Sequence, residues 1–412
     1  MTDALALLRD AEFWKLASIP LVAAVVGWGT NWVAIKMTFR PLAFVGIRPF
    51  LGWQGIIPSK ARRMASTFVD TTMVRLGRLS EVFERMEPEV LAQRVAEVMH
   101  RRLPQYTDEI ILQGHAVLWE NLPATVKAQI YDAVRAEMPA LVDGLMREIG
   151  ANVEDLMDLK NMVVTQLEAD KALLNRLFLE AGAEEFHFIV RSGFSFGLLF
   201  GLVQLAVWIA LPQWWVLPVF GLAVGWATNY IAINIIFRPL YPKKLGPFTL
   251  QGLFLRRQAQ VAASWCRLVT REIITVKNIV HELMTGPRSG RTRALIARHM
   301  RPVVDRALGN LKPLAQIAIG PRSYASIKAS VAEKALHVSE DPFEDRAFNH
   351  ERAAVVERVL RERMEGLPPD QFQDLLRPCF QEDELKLILV GAVLGAIAGT
   401  AQLLLVFGLP GA

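Results

Sequence analysis

The sequence predicts an all-α membrane protein with four transmembrane helices, arranged as two tandem parallel repeats that each carry a large cytoplasmic helical-bundle insertion. Three observations lead there. Apolar letters make up 52% of the 412 residues although 21% are charged, and mean hydropathy is positive, so the apolar letters must be concentrated. They gather in four runs, near 16–39, 194–211, 216–237 and 387–407, and a bilayer core of about 30 Å needs about 20 helical residues. Finally, "GWGTNWVAIKMTFRPL" at 27–42 returns 198 positions later as "GWATNYIAINIIFRPL" at 225–240, with ten of sixteen letters in agreement.

The N-terminal segment 1–15 lacks the basic start of a signal peptide and carries Asp3, Asp10 and Glu12, so the first helix, 16–39, is expected to remain as an anchor. Thr30, Asn31 and Lys36 interrupt it, as Thr228, Asn229 and Asn234 interrupt the third helix, 216–237. A polar group in lipid is costly without a partner, so these sides should face protein or a wet cavity. Lys and Arg cluster after the first and third helices, while the opposite side holds only Arg9, Lys15 and the uncharged "PQWWVLP". The positive-inside rule then places both long loops in the cytoplasm and both termini outside, in a bacterial inner membrane.

Gly193, Gly197, Gly201 and Gln204 in the second helix, 191–211, are matched by Gly391, Gly395, Gly399 and Gln402 in the fourth, 385–409. Spacing of four puts each set on one stripe, where a neighbouring backbone can come close. Gly27, Asn31 and Ala34 share a face of the first helix, and Gly225 and Asn229 repeat it in the third. Asn31 and Gln204 are candidate partners. These residues either hold the helices together or line a polar path along a pseudo-twofold axis, with Asn31, Asn229, Gln204 and Gln402 on its wall.

The loops 65–190 and 258–384 read as bundles of amphipathic helices. Val163, Leu167, Leu174 and Leu177 fall at helical spacing, as do Val355, Val356, Val359 and Leu360, and prolines punctuate both loops. No alternation of period two competes.

Chemistry-bearing motifs are scarce. None of the seven histidines sits at metal-ligand spacing, and there is no phosphate loop, nucleophile elbow or dinucleotide fingerprint. No enzyme activity, cofactor or metal is therefore expected. "GPRSGRTR" at 286–293 could meet a phosphate, but an ordinary basic turn before a helix explains it more simply. Cys266 and Cys379 are far apart and suggest free thiols. The net charge of +5 is mostly used by the membrane-flanking clusters, which argues against nucleic acid.

Those clusters lie in segments 40–64 and 238–257, which mix aromatic, aliphatic and basic residues and should lie along the headgroups. Proline disfavours helix at the residue before it, so Arg40 and Arg238 mark helix stops at the interface. A guanidinium there can hold a lipid phosphate bidentately. Arg40, Arg238, Lys60, Arg62, Arg63, Arg256 and Arg257 are the candidate sites for anionic headgroups, or simple positive-inside anchors.

"GWGTNWVAIKMTFRPL", "GWQGIIPSKARRMA" and "GFSFGLLFGLVQL" resemble the recurrent pattern of the domain of unknown function 445 family of bacterial membrane proteins. The resemblance implies topology but no activity. The second copy departs from it, with Leu255 in place of Pro58 and Tyr230 in place of Trp32. Two functions from different classes fit: a membrane-anchored scaffold binding an unknown protein partner, which the sparse intramembrane charge favours, and a transporter or lipid-handling protein.

Overall fold

The apolar runs and the polar loops alike fold as helix. The computed structural model describes residues 11–47, 51–76, 78–309, 312–377 and 384–408, and the chain is mostly helical. Asp3, Arg9, Asp10 and Cys379 lie outside the described residues. Helix α1 (Ala11–Phe39) leads into strands β1 (Val45–Ile47) and β2 (Leu51–Trp53). Then come α2 (Ala61–Leu76), α3 (Pro88–Asn121), α4 (Ala124–Ala151), α5 (Leu159–Ala169), α6 (Lys171–Ala181) and α7 (Ala183–Ala210). The chain continues through α8 (Val216–Phe237), β3 (Lys243–Leu245), β4 (Phe248–Leu250), α9 (Gln258–Leu268) and α10 (Val276–Thr285). It ends with α11 (Ser289–Leu308), α12 (Lys312–Ile319), α13 (Pro321–His337), α14 (Arg346–Glu365), α15 (Pro369–Leu376) and α16 (Glu384–Gln402).

The chain divides into two compact units. The first takes Met1–Thr71, Leu167–Trp265 and Arg363–Ala412 and contains four helices long and apolar enough to cross a membrane: Glu12–Phe39, Ala183–Ala210, Val216–Phe237 and Glu384–Phe407. α1 packs along α7, and α8 along α16. Glycine makes both contacts close. A Cβ on Gly27 would strike the carbonyl of Gly193, and one on Gly225 would strike that of Gly391. Gly197 lies against Ala23, Gly201 against Pro20, Gly395 against Gly221 and Gly399 against Leu217. Rising numbers in α7 meet falling numbers in α1, so the pair is antiparallel.

The interfacial segments correct the all-α expectation. Each forms a two-stranded antiparallel hairpin, pairing Val45 with Trp53 and Ile47 with Leu51 in one, and Lys243 with Leu250 and Leu245 with Phe248 in the other. The proline after each arginine ends the helix, and in the second hairpin Gly246, at φ +61°, opens the two-residue Gly-Pro loop. A strand pair of three residues each is too short to show an alternating pattern.

The second unit takes Thr72–Gln166 and Cys266–Glu362. Helices from both halves of the chain mix in it: α4 packs on α3 and α11, and α13 on α3 and α11. α10 illustrates the local logic. Thr275 caps it by accepting from the Asn278 amide at 3.1 Å, and Val276, Ile279 and Leu283 bury one face. Ion pairs tie the halves together, with Arg94 to Asp345 at 2.8 Å, Arg102 to Asp341 at 2.7 Å, and Arg352 paired with Glu87.

Candidate functional site

The junction after α1 recurs after α8, built from the same bonds. Gly55 N donates to Pro41 O at 2.9 Å and Gly252 N to Pro239 O at 3.0 Å, while Gln54 and Gln251 donate side-chain amides to Leu42 O and Leu240 O. A Cβ on Gly55 would meet the backbone of Phe39 and Arg40, and one on Gly252 that of Phe237 and Arg238. The last helical carbonyls are capped from the side: Asn175 donates to Phe39 O at 2.6 Å, and the Gln373 amide, oriented to satisfy its neighbours, donates to Phe237 O at 3.0 Å. Both Arg–Pro peptide bonds are cis.

Arg40, Arg238 and Arg256 are exposed and have no ion-pair partner among the described residues. The other basic candidates differ. Arg62 pairs with Glu168 at 3.1 Å, and Lys60 and Arg63 have partners of their own. Arg257 holds Glu184 at 2.8 Å and the fully buried Glu185 at 2.9 Å, because a carboxylate removed from water needs a counter-charge.

Between the membrane-length helices, Asn31 bonds to Ile189 O at 2.7 Å, which corrects the expected Asn31–Gln204 pairing. Antiparallel packing places the N-terminal part of α7 beside Asn31 and carries Gln204 to the other end of α1. Gln204 is buried, and Gln402 donates to the Ser18 hydroxyl at 3.2 Å. Lys36 is also corrected: it is exposed, with its ammonium 4.6 Å from the centroid of the Trp32 ring, rather than turned inward. Near a helix end a long stem can carry its charge to the interface. Trp28 stacks on Trp32, and Trp226 on Tyr230, along exposed faces.

A cavity of about 60 Å³ lies where α1 and α8 meet. Its lining falls into pairs 198 positions apart: Asn31 and Asn229, Ala34 and Ala232, Ile35 and Ile233, Thr38 and Ile236, Phe39 and Phe237, Phe186 and Glu384, Ile189 and Leu387. Gln204 and Gln402 do not line it. A separate apolar cluster of Ile19, Leu217 and Leu403, with Leu205, Trp208 and Phe407 packed on it, lies about 18 Å further along α1 at 1.5 Å per residue.

The second unit holds a far larger space, partly open to solvent. A chamber of about 500 Å³ is walled by α3, α4, α10, α11 and α13, with Val95, Met99, Leu103, Ile130, Met138, Leu145, Ile296 and Val303 among its lining. Its few polar groups are Tyr106, Thr107, Tyr324, Lys334 and Ser339. These are held in place. The Tyr324 hydroxyl donates to Asp305 at 2.7 Å, and burial together with that bond raises its pKa. Lys328, Tyr324 and Lys312 hold the Asp305 carboxyl well below the usual carboxylate range. Tyr106 donates to Asp341 at 2.9 Å and is raised first by burial, and Lys334 pairs with Glu109. Tyr131 is pushed up to about 12 by burial and its bond to Asp108, which also accepts from Trp119.

Sequence reasoning missed this chamber because apolar positions facing a void look the same as positions facing one another. It also missed Glu384, placed just before the fourth helix, and the capping pair Asn175 and Gln373, which the 198-residue offset could have found. The arginines of 286–293 are mostly taken up by backbone: Arg288 donates to Glu154 O and Met157 O, Arg291 to Asp155 O while also pairing with the Asp155 carboxylate at 3.9 Å, and Arg293 to Met284 O. No group of three or more His, Cys, Asp or Glu side chains able to hold a metal occurs among the described residues. Cys266 is buried.

No family model matches the chain, and no solved structure matches it. It is similar to proteins named UPF0754 membrane protein. One from Synechococcus sp. (strain JA-2-3B'a(2-13)) is 28% identical over 187 residues, 40% of this chain and 45% of that protein. Another from Synechococcus sp. (strain JA-3-3Ab) is 29% identical over 200 residues, 42% of this chain and 48% of that one. One from Microcystis aeruginosa is 40% identical over 62 residues, 15% of each chain. The matched segments thus span about half or less of these relatives. With its four apolar helices, the chain is a multi-pass membrane protein similar to an uncharacterised bacterial membrane family.

Proposed function

We propose that this is a non-enzymatic lipid-handling membrane protein whose second unit holds an acyl chain. The chamber is the observation that carries the reading. Its volume of about 500 Å³ falls inside the range of roughly 300–1,000 Å³ usual for ligand pockets. Water gains little in so apolar a space. The space is partly open to solvent, so an acyl chain lying in it would take both its own methylenes and the apolar walls out of water, at about 0.8 kcal/mol per buried CH₂. A scaffold, which the sparse intramembrane charge of the sequence favours, needs no such chamber.

The rest of the proposal follows the resemblance to the domain of unknown function 445 family and the basic clusters. Two parallel repeats, each a helix, a long cytoplasmic insertion and a second helix, lie in a bacterial inner membrane with both termini outside. The recurrence of the junction bonds and of the Asn31 and Asn229 bonds supports the repeat. Arg40 and Arg238, exposed and without an ion-pair partner among the described residues, offer guanidinium groups to anionic headgroups.

A binding assay tests the reading. Full-length protein in detergent should bind a fluorescent fatty-acid probe at one site. Ala307→Trp and Ala335→Trp, which fill the chamber, should weaken it by about tenfold or more, equal to about 1.4 kcal/mol, while unfolding temperature holds or rises. Unchanged probe affinity in both folded variants would refute the acyl-chain reading.

A further inference from the structure

We infer that Trp28, Trp32, Lys36 and Arg40 hold one anionic phospholipid on the outer side of α1, its phosphate on the two cations and one chain along the two indoles. The site rests on the headgroup role of Arg40 and is independent of the acyl-chain chamber. All four residues are exposed, and their spacing of four sets them in one row slanting along the helix surface. The Arg40 amide donates to Lys36 O at 2.9 Å, so the helical register carries through to the end of the row.

The row has the length of one lipid. At 1.5 Å per residue, Trp28 lies about 18 Å along the axis from Arg40, and one leaflet of a hydrocarbon core of about 30 Å is about 15 Å deep. With Arg40 at the headgroup level, both indoles lie below the belt where aromatic residues usually gather. Trp28 and Trp32 stack with centroids 6.5 Å apart and planes 13° from parallel, each residue 45% exposed. Two rigid rings side by side give a chain a flat apolar wall at little cost in side-chain entropy.

Charge selects the headgroup. Lys36 and Arg40 stand about 6 Å apart along the axis, and neither has an ion-pair partner among the described residues. The Lys36 ammonium, 4.6 Å from the Trp32 centroid, is held beside the wall. A cation at the edge of hydrocarbon is costly until it meets an opposite charge, and the anion at that level is a lipid phosphate. A zwitterionic headgroup brings a cation of its own, which two positive side chains repel. The second copy supplies a contrast. Trp226 and Tyr230 repeat the stack, with centroids 5.1 Å apart, and Arg238 repeats Arg40. Asn234 stands in place of Lys36 and donates its amide back to Tyr230 O at 2.9 Å. That row has one cation and holds the lipid less tightly.

The test titrates full-length protein in detergent with phosphatidylglycerol or phosphatidylcholine and counts bound lipids by native mass spectrometry. Phosphatidylglycerol should fill one tight site that phosphatidylcholine does not. Lys36→Asn, which copies the second row, should weaken that site by about tenfold or more, and Asn234→Lys should create a second tight site. Lys15→Asn, a lost charge at the other end of α1, and Ala307→Trp, which fills the chamber, should both bind like the parent. If phosphatidylglycerol is preferred but Lys36→Asn binds like the parent, or Asn234→Lys gains no second site, the row is overturned and the headgroup role of Arg40 stands. A parent without that preference would overturn both, and loss of the site in Ala307→Trp would overturn the row by placing the lipid in the chamber.

Discussion

Asn31 and Asn229 stand 198 residues apart and make the same bond, each donating its amide to a carbonyl on the adjacent helix at 2.7 Å, Ile189 in one case and Leu387 in the other. So short a reach from an asparagine requires the two backbones to lie close together. Glycine provides that approach. Gly27→Ala should therefore lower stability by about 1–3 kcal/mol, the usual cost of overpacking, because its Cβ would meet the backbone of Gly193. Gly29 has nothing within 4 Å of an added Cβ, so Gly29→Ala should hold or raise stability by about 0.5–1 kcal/mol. Thermal unfolding in detergent compares them. Equal effects would mean that the contact is not the constraint.

Much of this is legible in the amino-acid sequence. The glycine stripes, the duplicated motif and the helix stops at Arg40 and Arg238 each follow from spacing or proline sterics. What the sequence conceals depends on packing direction or on distance along the chain. The partner of Asn31 is a main-chain carbonyl selected by antiparallel register, and backbone acceptors carry no letter. Arg257 reads as one more interfacial cation until Glu185, 72 positions away, is found beside it. The chamber needs α3 and α4 to meet α11 and α13, a tertiary fact that periodicity within each helix does not encode.

The Glu185–Arg257 contact gives a sharp contrast between neighbouring arginines. Arg257→Ala leaves a buried carboxylate unpaired and should cost about 3–5 kcal/mol, whereas Arg256→Ala, at an exposed position, should stay within about 0.5 kcal/mol of the parent. Denaturation of the two variants in the same detergent checks this. Similar losses in both would assign the pair no structural role.

Glu282 supplies a pH dependence. It is buried, accepts from Asn161 at 3.1 Å, and its pKa is raised chiefly by burial. A raised folded pKa means that stability is fully present below the unfolded value, about 4.3, and is lost as pH rises through the folded value. Glu282→Gln removes the buried charge, so it should melt above the parent at pH 8, with the gap closing as pH falls towards 4. A gap that widened in acid would contradict the assignment.

Orientation can be read with introduced thiols, since Cys266 is buried. In a Cys379→Ser background, Gln213→Cys should react with a membrane-impermeant maleimide in intact cells, and Thr125→Cys only after permeabilisation. Both positions are exposed. The reverse pattern would invert the proposed topology.

The central claim is that the second unit holds an acyl chain, and photo-crosslinking tests it most directly. A diazirine-bearing fatty acid, irradiated with the full-length protein and mapped by peptide mass spectrometry, should label α3, α4, α11 and α13 at chamber residues such as Leu103, Met138 and Val303, with excess unlabelled fatty acid abolishing the signal. Labelling confined to α1, α7, α8 and α16, as expected of lipid merely surrounding a membrane protein, would contradict the account.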